Sequence, residues 1–177
     1  MQQLKLGVIL VGLCLLAGLR AEEDNPFKKA KVGDWVSYTM KVEMPGTVIE
    51  AEMKQIVTAK TEKEVTFESI TTREGQESKS PSITVKLDQK FDPLQLPEGA
   101  KLKEIAKGDE KITAGGKTFD TQWQQVEVTT KNGDQDVTTK AKIWLSATVP
   151  LTTIVKITTD GGDQGKLTME LKDFGSK

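Results

Sequence analysis

The chain contains no histidine, and its one cysteine, Cys14, lies inside an apolar run near the start. These two absences exclude a good deal of chemistry. Without imidazole there is no Ser-His or Cys-His nucleophile and no His-ligated zinc or copper. Cys14 follows Val11-Gly12-Leu13, with no small residue immediately before it, so it reads as a hydrophobic residue of a leader and not as a lipidation site. The chain beyond the leader then has no thiol and no disulfide framework. Neither Ser-x-x-Lys nor Gly-x-Ser-x-Gly occurs, so the Ser-Lys pair, which works without a His, has no motif here either. Charge of one sign is not concentrated anywhere, so the basic stripe that a nucleic-acid partner requires is missing. Apolar runs long enough to cross a bilayer are missing as well.

What is present begins with a targeting signal. Leu6–Leu19 is an almost unbroken apolar run behind Lys5, and Leu19-Arg20-Ala21 leads into the acidic Glu22-Glu23-Asp24. That is the pattern of a secretory leader over residues 1–21, cleaved after Ala21, with an uncleaved anchor as the alternative. Removing Lys5 and Arg20 with it leaves 23 basic and 26 acidic side chains, a net charge of −3. Residues 22–31 read as a loose polar leader that tucks Phe27 onto the domain, and 32–177 as one domain. The mean hydropathy of −0.40 points to a thin core, as in a sheet with one wet face.

Alternation of apolar and polar residues dominates the rest. Trp35–Met44 places Val36, Tyr38, Met40, Val42 and Met44 on one face, the two-residue period of a half-buried strand. Thr47–Lys60 shows the same period, with a phase change toward Ile56 or Val57 that implies a bulge. Glu64–Thr72 and Ser82–Leu87 follow, separated by a charged loop over Arg73–Pro81. The central hairpin of the sheet is expected in Gly115–Thr130 and Thr138–Lys156, with Val149-Pro150 breaking the second arm and a turn at Lys131-Asn132-Gly133-Asp134 whose Asn-Gly suits a tight hairpin. Phe119, Thr121 and Trp123 share one phase and Val126 and Val128 the other, which implies a bulge near Gln124-Gln125. Leu151–Thr159 and Gly165–Asp173 form a last hairpin, with Leu167, Met169 and Leu171 facing in. In Phe91–Lys111 the pattern breaks. There Leu102, Ile105 and Ala106 at positions i, i+3 and i+4 fit a two-turn helix over Ala100–Lys107, with an irregular loop as the alternative. The fold class expected is mostly β: about eight antiparallel strands in one strongly curved sheet or half-open barrel, with at most one short helix.

Candidate sites are few. Glu50, Glu52, Glu62, Glu64 and Glu68 alternate with Lys and Thr as a solvated sheet face does, and no catalytic pair is read into them. Asp134-Gln135-Asp136 and Asp160-Gly161-Gly162-Asp163 bring oxygens together on turns, but neither follows the calcium-loop pattern, and turns select the same residues. Gly115-Gly116-Lys117-Thr118 opens a strand and lacks phosphate-loop spacing. No metal site and no cofactor is expected. The aromatic residues Trp35, Phe119, Trp123 and Trp144 are the candidate ligand-binding set, lining a concave face; filling the core is their other possible use. Trp144 lies out of phase with Ile143 and Leu145, so it is either exposed or covered by Phe91–Lys111.

Gly115-Gly116-Lys117-Thr118-Phe119, Ile143-Trp144-Leu145-Ser146, Val149-Pro150-Leu151 and Ile154-Val155-Lys156 together resemble small secreted β-proteins of planctomycete-type bacteria. More distantly, the arrangement is similar to the LolA/LolB-like lipoprotein-carrier superfamily. The resemblance covers roughly the C-terminal third; Thr152-Thr153 stands where its pattern carries a glycine before Val-Lys. It implies an unclosed antiparallel barrel whose inner surface can hold acyl chains under a helical lid. Compartment, residue content and resemblance lead to one expectation: an exported, periplasmic or cell-envelope protein, monomeric and non-enzymatic, holding an apolar or amphipathic ligand such as a lipid or lipopeptide. The alternative is a structural or interaction module of the envelope with a protein partner and no small ligand.

Overall fold

The computed structural model describes residues 25–88, 100–132, 135–162 and 165–177. The leader (1–21), the turn residues Gly133 and Asp134, Asp163, and Phe91–Gly99 of the pattern break lie outside the described residues. Ten strands occur among them: β1 Trp35–Met44, β2 Thr47–Lys60, β3 Glu64–Arg73, β4 Gln76–Lys79, β5 Ile83–Lys86, β6 Lys101–Ala114, β7 Lys117–Asn132, β8 Gln135–Leu145, β9 Ile154–Asp160 and β10 Lys166–Gly175. They form one antiparallel sheet in the order β4-β3-β2-β1-β10-β9-β8-β7-β6, with β5 also on β3. It is not closed into a barrel, since β4 and β6 stand at its ends. The one helical piece among the described residues is a 3-10 turn, Pro26–Lys29.

The expected mostly-β class therefore stands, and two more strands than expected complete it. Arg73–Pro81 is not a plain loop, because Gln76–Lys79 turns back at Glu74-Gly75 to pair with β3. Ala100–Lys107 is neither helix nor irregular loop; Lys101–Ala114 is a long strand on β7. Its register shifts between Glu104 and Ala106, leaving Ile105 as the bulged residue. A one-residue reset of a two-residue period imitates helical spacing over a single turn, which is how Leu102, Ile105 and Ala106 mislead. The bulge expected in β7 near Gln124-Gln125 thus lies on its neighbour, and β7 pairs with β8 in unbroken register from Gln122↔Leu145 to Asn132↔Gln135. In β2 the buried side chains Met53, Gln55 and Val57 keep one phase, and the register shift comes after Val57. Gln55 occupies the apolar phase as a buried polar residue beside Ser69.

Registers define two faces. One line crosses seven strands through Ala51, Met40, Met169, Ile157, Ile143, Gln124 and Lys107. Most of its apolar members are buried, and Tyr38, Leu171, Val57, Val65 and Val126 share that inner face and its core. From Asn25 on, the polar stretch read as loose is fixed to the domain. Phe27 is buried and stacks on Phe67 at 5.7 Å, while Lys60 Nζ donates to the carbonyl oxygens of Lys28 and Ala30. Threonines serve the pairing itself: Thr66–Thr84, Thr113–Thr118 and Thr129–Thr138 are hydroxyl pairs across neighbouring strands.

The sheet bends back on itself. The β6–β7 hairpin runs past the end of β8, and at Gly115, where φ is +54°, an added Cβ would strike the carbonyl oxygen of Lys172 in β10. Phe119 packs on Phe174 there, and Lys117 pairs with Asp173. A turn after Leu145 carries Val149, Leu151 and Thr152 into the core, where the Tyr38 and Thr152 hydroxyls bond each other and the Tyr38 hydroxyl donates to Ile154 O. This turn holds Leu151 at φ +65° and Thr153 at +58°, left-handed values that are costly for residues with branched side chains. Thr153→Gly is expected to raise stability by about 0.5–1 kcal/mol, or about 1–4 °C in melting temperature, where glycine in a strand normally does harm. Thermal unfolding followed by circular dichroism checks this.

Candidate functional site

The four sequence-chosen aromatics are not brought into one pocket. Phe119 is buried at the hairpin end against Phe174. Trp35 lies on the face opposite the core, across the sheet's centre. Trp123 and Trp144 are direct cross-strand partners on β7 and β8. They share that opposite face with a second register line: Glu52, Thr39, Glu170, Lys156, Trp144, Trp123 and Gly108.

Around the tryptophan pair the line closes into a cluster. Lys142 Nζ lies 4.1 Å from the Trp123 ring centre and 4.5 Å from that of Trp144, a cation held between two indole faces. Trp144 Nε1 donates to Glu110 Oε2 at 2.8 Å, and the same oxygen lies 3.5 Å from Lys142 Nζ. The indole N–H, followed by the nearby lysines 142 and 156, holds the Glu110 carboxyl below its ordinary value. Trp144 is only 8% exposed. Glu110 belongs to Phe91–Lys111, so that segment covers Trp144, one of the two arrangements expected from its phase. Farther along, Lys156 pairs with Glu170 at 2.8 Å, and Lys172 pairs with Glu52.

Two of these three tryptophans, Trp123 and Trp35, each use a glycine on the next strand. A Cβ on Gly108 would lie 3.0 Å from Trp123 Nε1, and one on Gly175 would lie 3.2 Å from the Trp35 ring. Each ring therefore lies flat over a strand position that has no side chain, with a lysine above it: Lys142 over Trp123 and Lys54 over Trp35. Such aromatic cover of strand glycines stabilises pairing. Gly108, Glu110 and Lys142 escaped the sequence reading because only strand register reveals them.

In chemical terms the cluster is a latch. Its carboxylate and ammonium are matched to each other and to the two indoles. Among the described residues no group of three or more Asp, Glu, Cys or His side chains is placed to hold a metal. Asp160, from one of the two turns considered for calcium, accepts from Gly162 N at 3.0 Å and pairs with Lys166. Those two contacts, the backbone one first, hold its carboxyl low and are ordinary turn chemistry. No helix among the described residues is long and apolar enough to cross a membrane.

The fold class this defines is an open, bent antiparallel sheet with a filled inner face. No protein-family model matches the chain, and no curated protein does. Two solved structures resemble it. One is a "putative lipoprotein" from Parabacteroides distasonis, with TM-score 0.50, 10% identity, and coverage of 86% of this chain and 99% of that one. The other is a "putative exported protein with YmcC-like fold" from Bacteroides fragilis, with TM-score 0.47, 9% identity, and coverage of 82% and 97%. At such identity the first likeness concerns the fold alone.

Glu110 gives a pH test. A carboxyl whose folded value is lowered adds stability that is present above its unfolded value and is lost as pH falls through the folded one. Glu110→Gln is therefore expected to melt below the parent at neutral pH, with the gap narrowing from about pH 4 downward. A gap that stays constant to low pH would show that the latch is not ionic.

Proposed function

We propose that this is an exported, non-enzymatic envelope protein that takes the apolar part of an amphipathic ligand at one end of its concave inner face. One observation carries this reading: burial on the inner face falls off toward the β1–β2 and β7–β8 turns. Met40, Met169, Ile157 and Ile143 are buried, whereas Val42, Ile49 and Val128 are half-buried and Leu102 is 37% exposed. An apolar surface that ends open at the rim of a bent sheet can seat an acyl chain while its headgroup stays in water. The ligand residues of this reading are these aliphatic side chains, and the tryptophans hold the hairpin that shapes the face. Export rests on the leader and is supported by the fold likeness to the "putative lipoprotein" of Parabacteroides distasonis. The LolA/LolB-like resemblance supports an acyl or lipopeptide ligand, without the helical lid of that superfamily among the described residues. The absent histidine and thiol, together with the matched charges of the latch, support a non-enzymatic role.

A second reading is favoured by one feature. β6 is a fourteen-residue edge strand with Leu102 and Ile105 exposed, whereas the opposite edge is divided between two four-residue strands. Long unpaired edges recruit partner strands. An envelope interaction module would use this edge, because Trp144 is already covered by its own chain.

Titration with a lysophospholipid or fatty acid separates the two. The first reading expects displacement of a fluorescent fatty acid and, near a hundredfold excess over Kd, a rise of about 5–10 °C in melting temperature. Leu102→Asp and Ile49→Asp are expected to weaken binding about tenfold or more, with little change in the melting of the free protein. No thermal shift at saturating lipid, with a stable oligomer by light scattering, would favour the edge-strand reading.

A further inference from the structure

Among the described residues β6 has a single strand neighbour, β7, and its other edge is open. Lysines and a bulge on such an edge guard against indiscriminate pairing. In β6 they are so placed that one antiparallel partner fits, the same strand of a second copy. The bulge decides the register. Before it, Lys101 and Lys103 lie on the outward face, with Leu102 and Glu104 on the inner one. Ile105 is the extra residue and Ala106 stands opposite Gln125, so beyond the bulge Lys107 and Asp109 turn inward, and Gly108 and Glu110 outward. Residues opposite each other in an antiparallel pair lie on the same face. With this change of phase, β6 matches its own copy face for face only if the two-fold axis passes between Ile105 and Ala106.

Charge supports the same register independently. With the axis there, Lys101 of one copy lies opposite Glu110 of the other on the outward face, and Glu104 lies opposite Lys107 on the inner face. Moving the axis one residue forward sets Glu104 against Asp109; moving it one residue back pairs no opposite charges. Within the chain Lys107 Nζ lies 3.0 Å from Glu104 Oε1, so two copies close a ring of alternating charges about the axis. Glu110 gives Oε2 to Trp144 and Lys142, which leaves Oε1 for the incoming lysine, and Lys101 is exposed. Ile105, 43% exposed in the single copy, meets Ala106 of the other beside the axis.

We propose that β6 is a self-pairing edge through which two copies of the chain join their sheets, antiparallel, about an axis between Ile105 and Ala106. The inference rests on the edge-strand reading, to which it gives a partner, and does not depend on a lipid ligand. Exposed ion pairs contribute little by themselves. The pairing draws on backbone hydrogen bonds and the Ile105 contact, and the charges select the register and reject others. Since the two-fold occupies the long edge of both copies, and the opposite edge is divided between two four-residue strands, assembly closes at the dimer.

The test uses the processed chain, in which an introduced thiol has no native cysteine to compete with it. Sedimentation is expected to show a monomer–dimer equilibrium. Ala106→Cys lies beside the axis, within disulfide range of its own copy, and is expected to give one crosslinked dimer under mild oxidation. Lys101→Cys, far from the axis, is expected to stay uncrosslinked. Lys107→Glu is expected to weaken the dimer about tenfold or more, and Glu104→Lys/Lys107→Glu to recover it, because reversing both charges keeps them opposite. Melting curves of dilute samples confirm that each variant folds. A monomer at every concentration, crosslinking of Lys101→Cys as readily as Ala106→Cys, or no recovery in the double variant overturns the proposal. Amide exchange of β6 in the dilute monomer reads the edge itself. If its outer amides are protected there, the edge-strand reading falls along with the proposal; if they exchange freely and no dimer forms, only the proposal falls.

Discussion

The pairing of β1 with β10 is the constraint on which the structure depends. It joins strands near the two ends of the chain, from Trp35↔Gly175 to Glu43↔Lys166, and it alone links β4-β3-β2-β1 to β10-β9-β8-β7-β6 in the sheet order. The register lines that carry the core cross this seam, so Met40 meets Met169 and Tyr38 meets Leu171 only if it is in register. A slip of one residue would turn Val36, Tyr38 and Met40 to solvent and bring Ser37, Thr39 and Lys41 inward. The register shift between Ser37 and Tyr38 bends the seam near the point where Gly115 approaches Lys172. Tyr38 ties the seam to the Val149–Thr153 turn through its hydroxyl. Contacts this distant in sequence favour slow folding.

The two faces of the sheet serve different ends. The inner face is packed along the middle of each strand and thins toward the turns, where apolar side chains are left partly uncovered. On the opposite face, tryptophans lie over glycines and lysines lie over tryptophans, so that its apolar surface is shielded by paired charge. Stability at the hairpin end comes from this shielding together with the Phe119–Phe174 contact.

Much of the fold was legible from alternation. Val36, Tyr38 and Met40, then Ala141 and Ile143, then Leu167, Met169 and Leu171 face inward as their period indicates, because one-sided burial writes a two-residue repeat. Phe27 docks as its residue type suggests, and of the two arrangements that phase left open for Trp144, exposed or covered, Glu110 decides for cover. Three features were not legible. Ile105 breaks the period of β6 by one residue, and a local pattern cannot tell a bulge from a helical turn. Gln55 and Gln124 occupy inward positions as buried polar residues, so burial there is decided by partners across strands. The placement of the candidate aromatics was hidden for a similar reason: residue type singled out Trp35, Trp123 and Trp144, and only register shows that they lie on the face opposite Val36, Tyr38 and Ile143.

On the proposed function the open end of the inner face, and not the β6 edge or the tryptophan face, receives the apolar part of a ligand. Methyl-resolved NMR of the labelled protein during titration with a lysophospholipid tests it most directly. The account predicts that Val42, Ile49, Leu102 and Val128 shift together and saturate, while Ile157 and Ile143 in the packed middle stay in place. Perturbation confined to Ile105 and the β6 backbone, or no saturable change at any of these methyls, would contradict it.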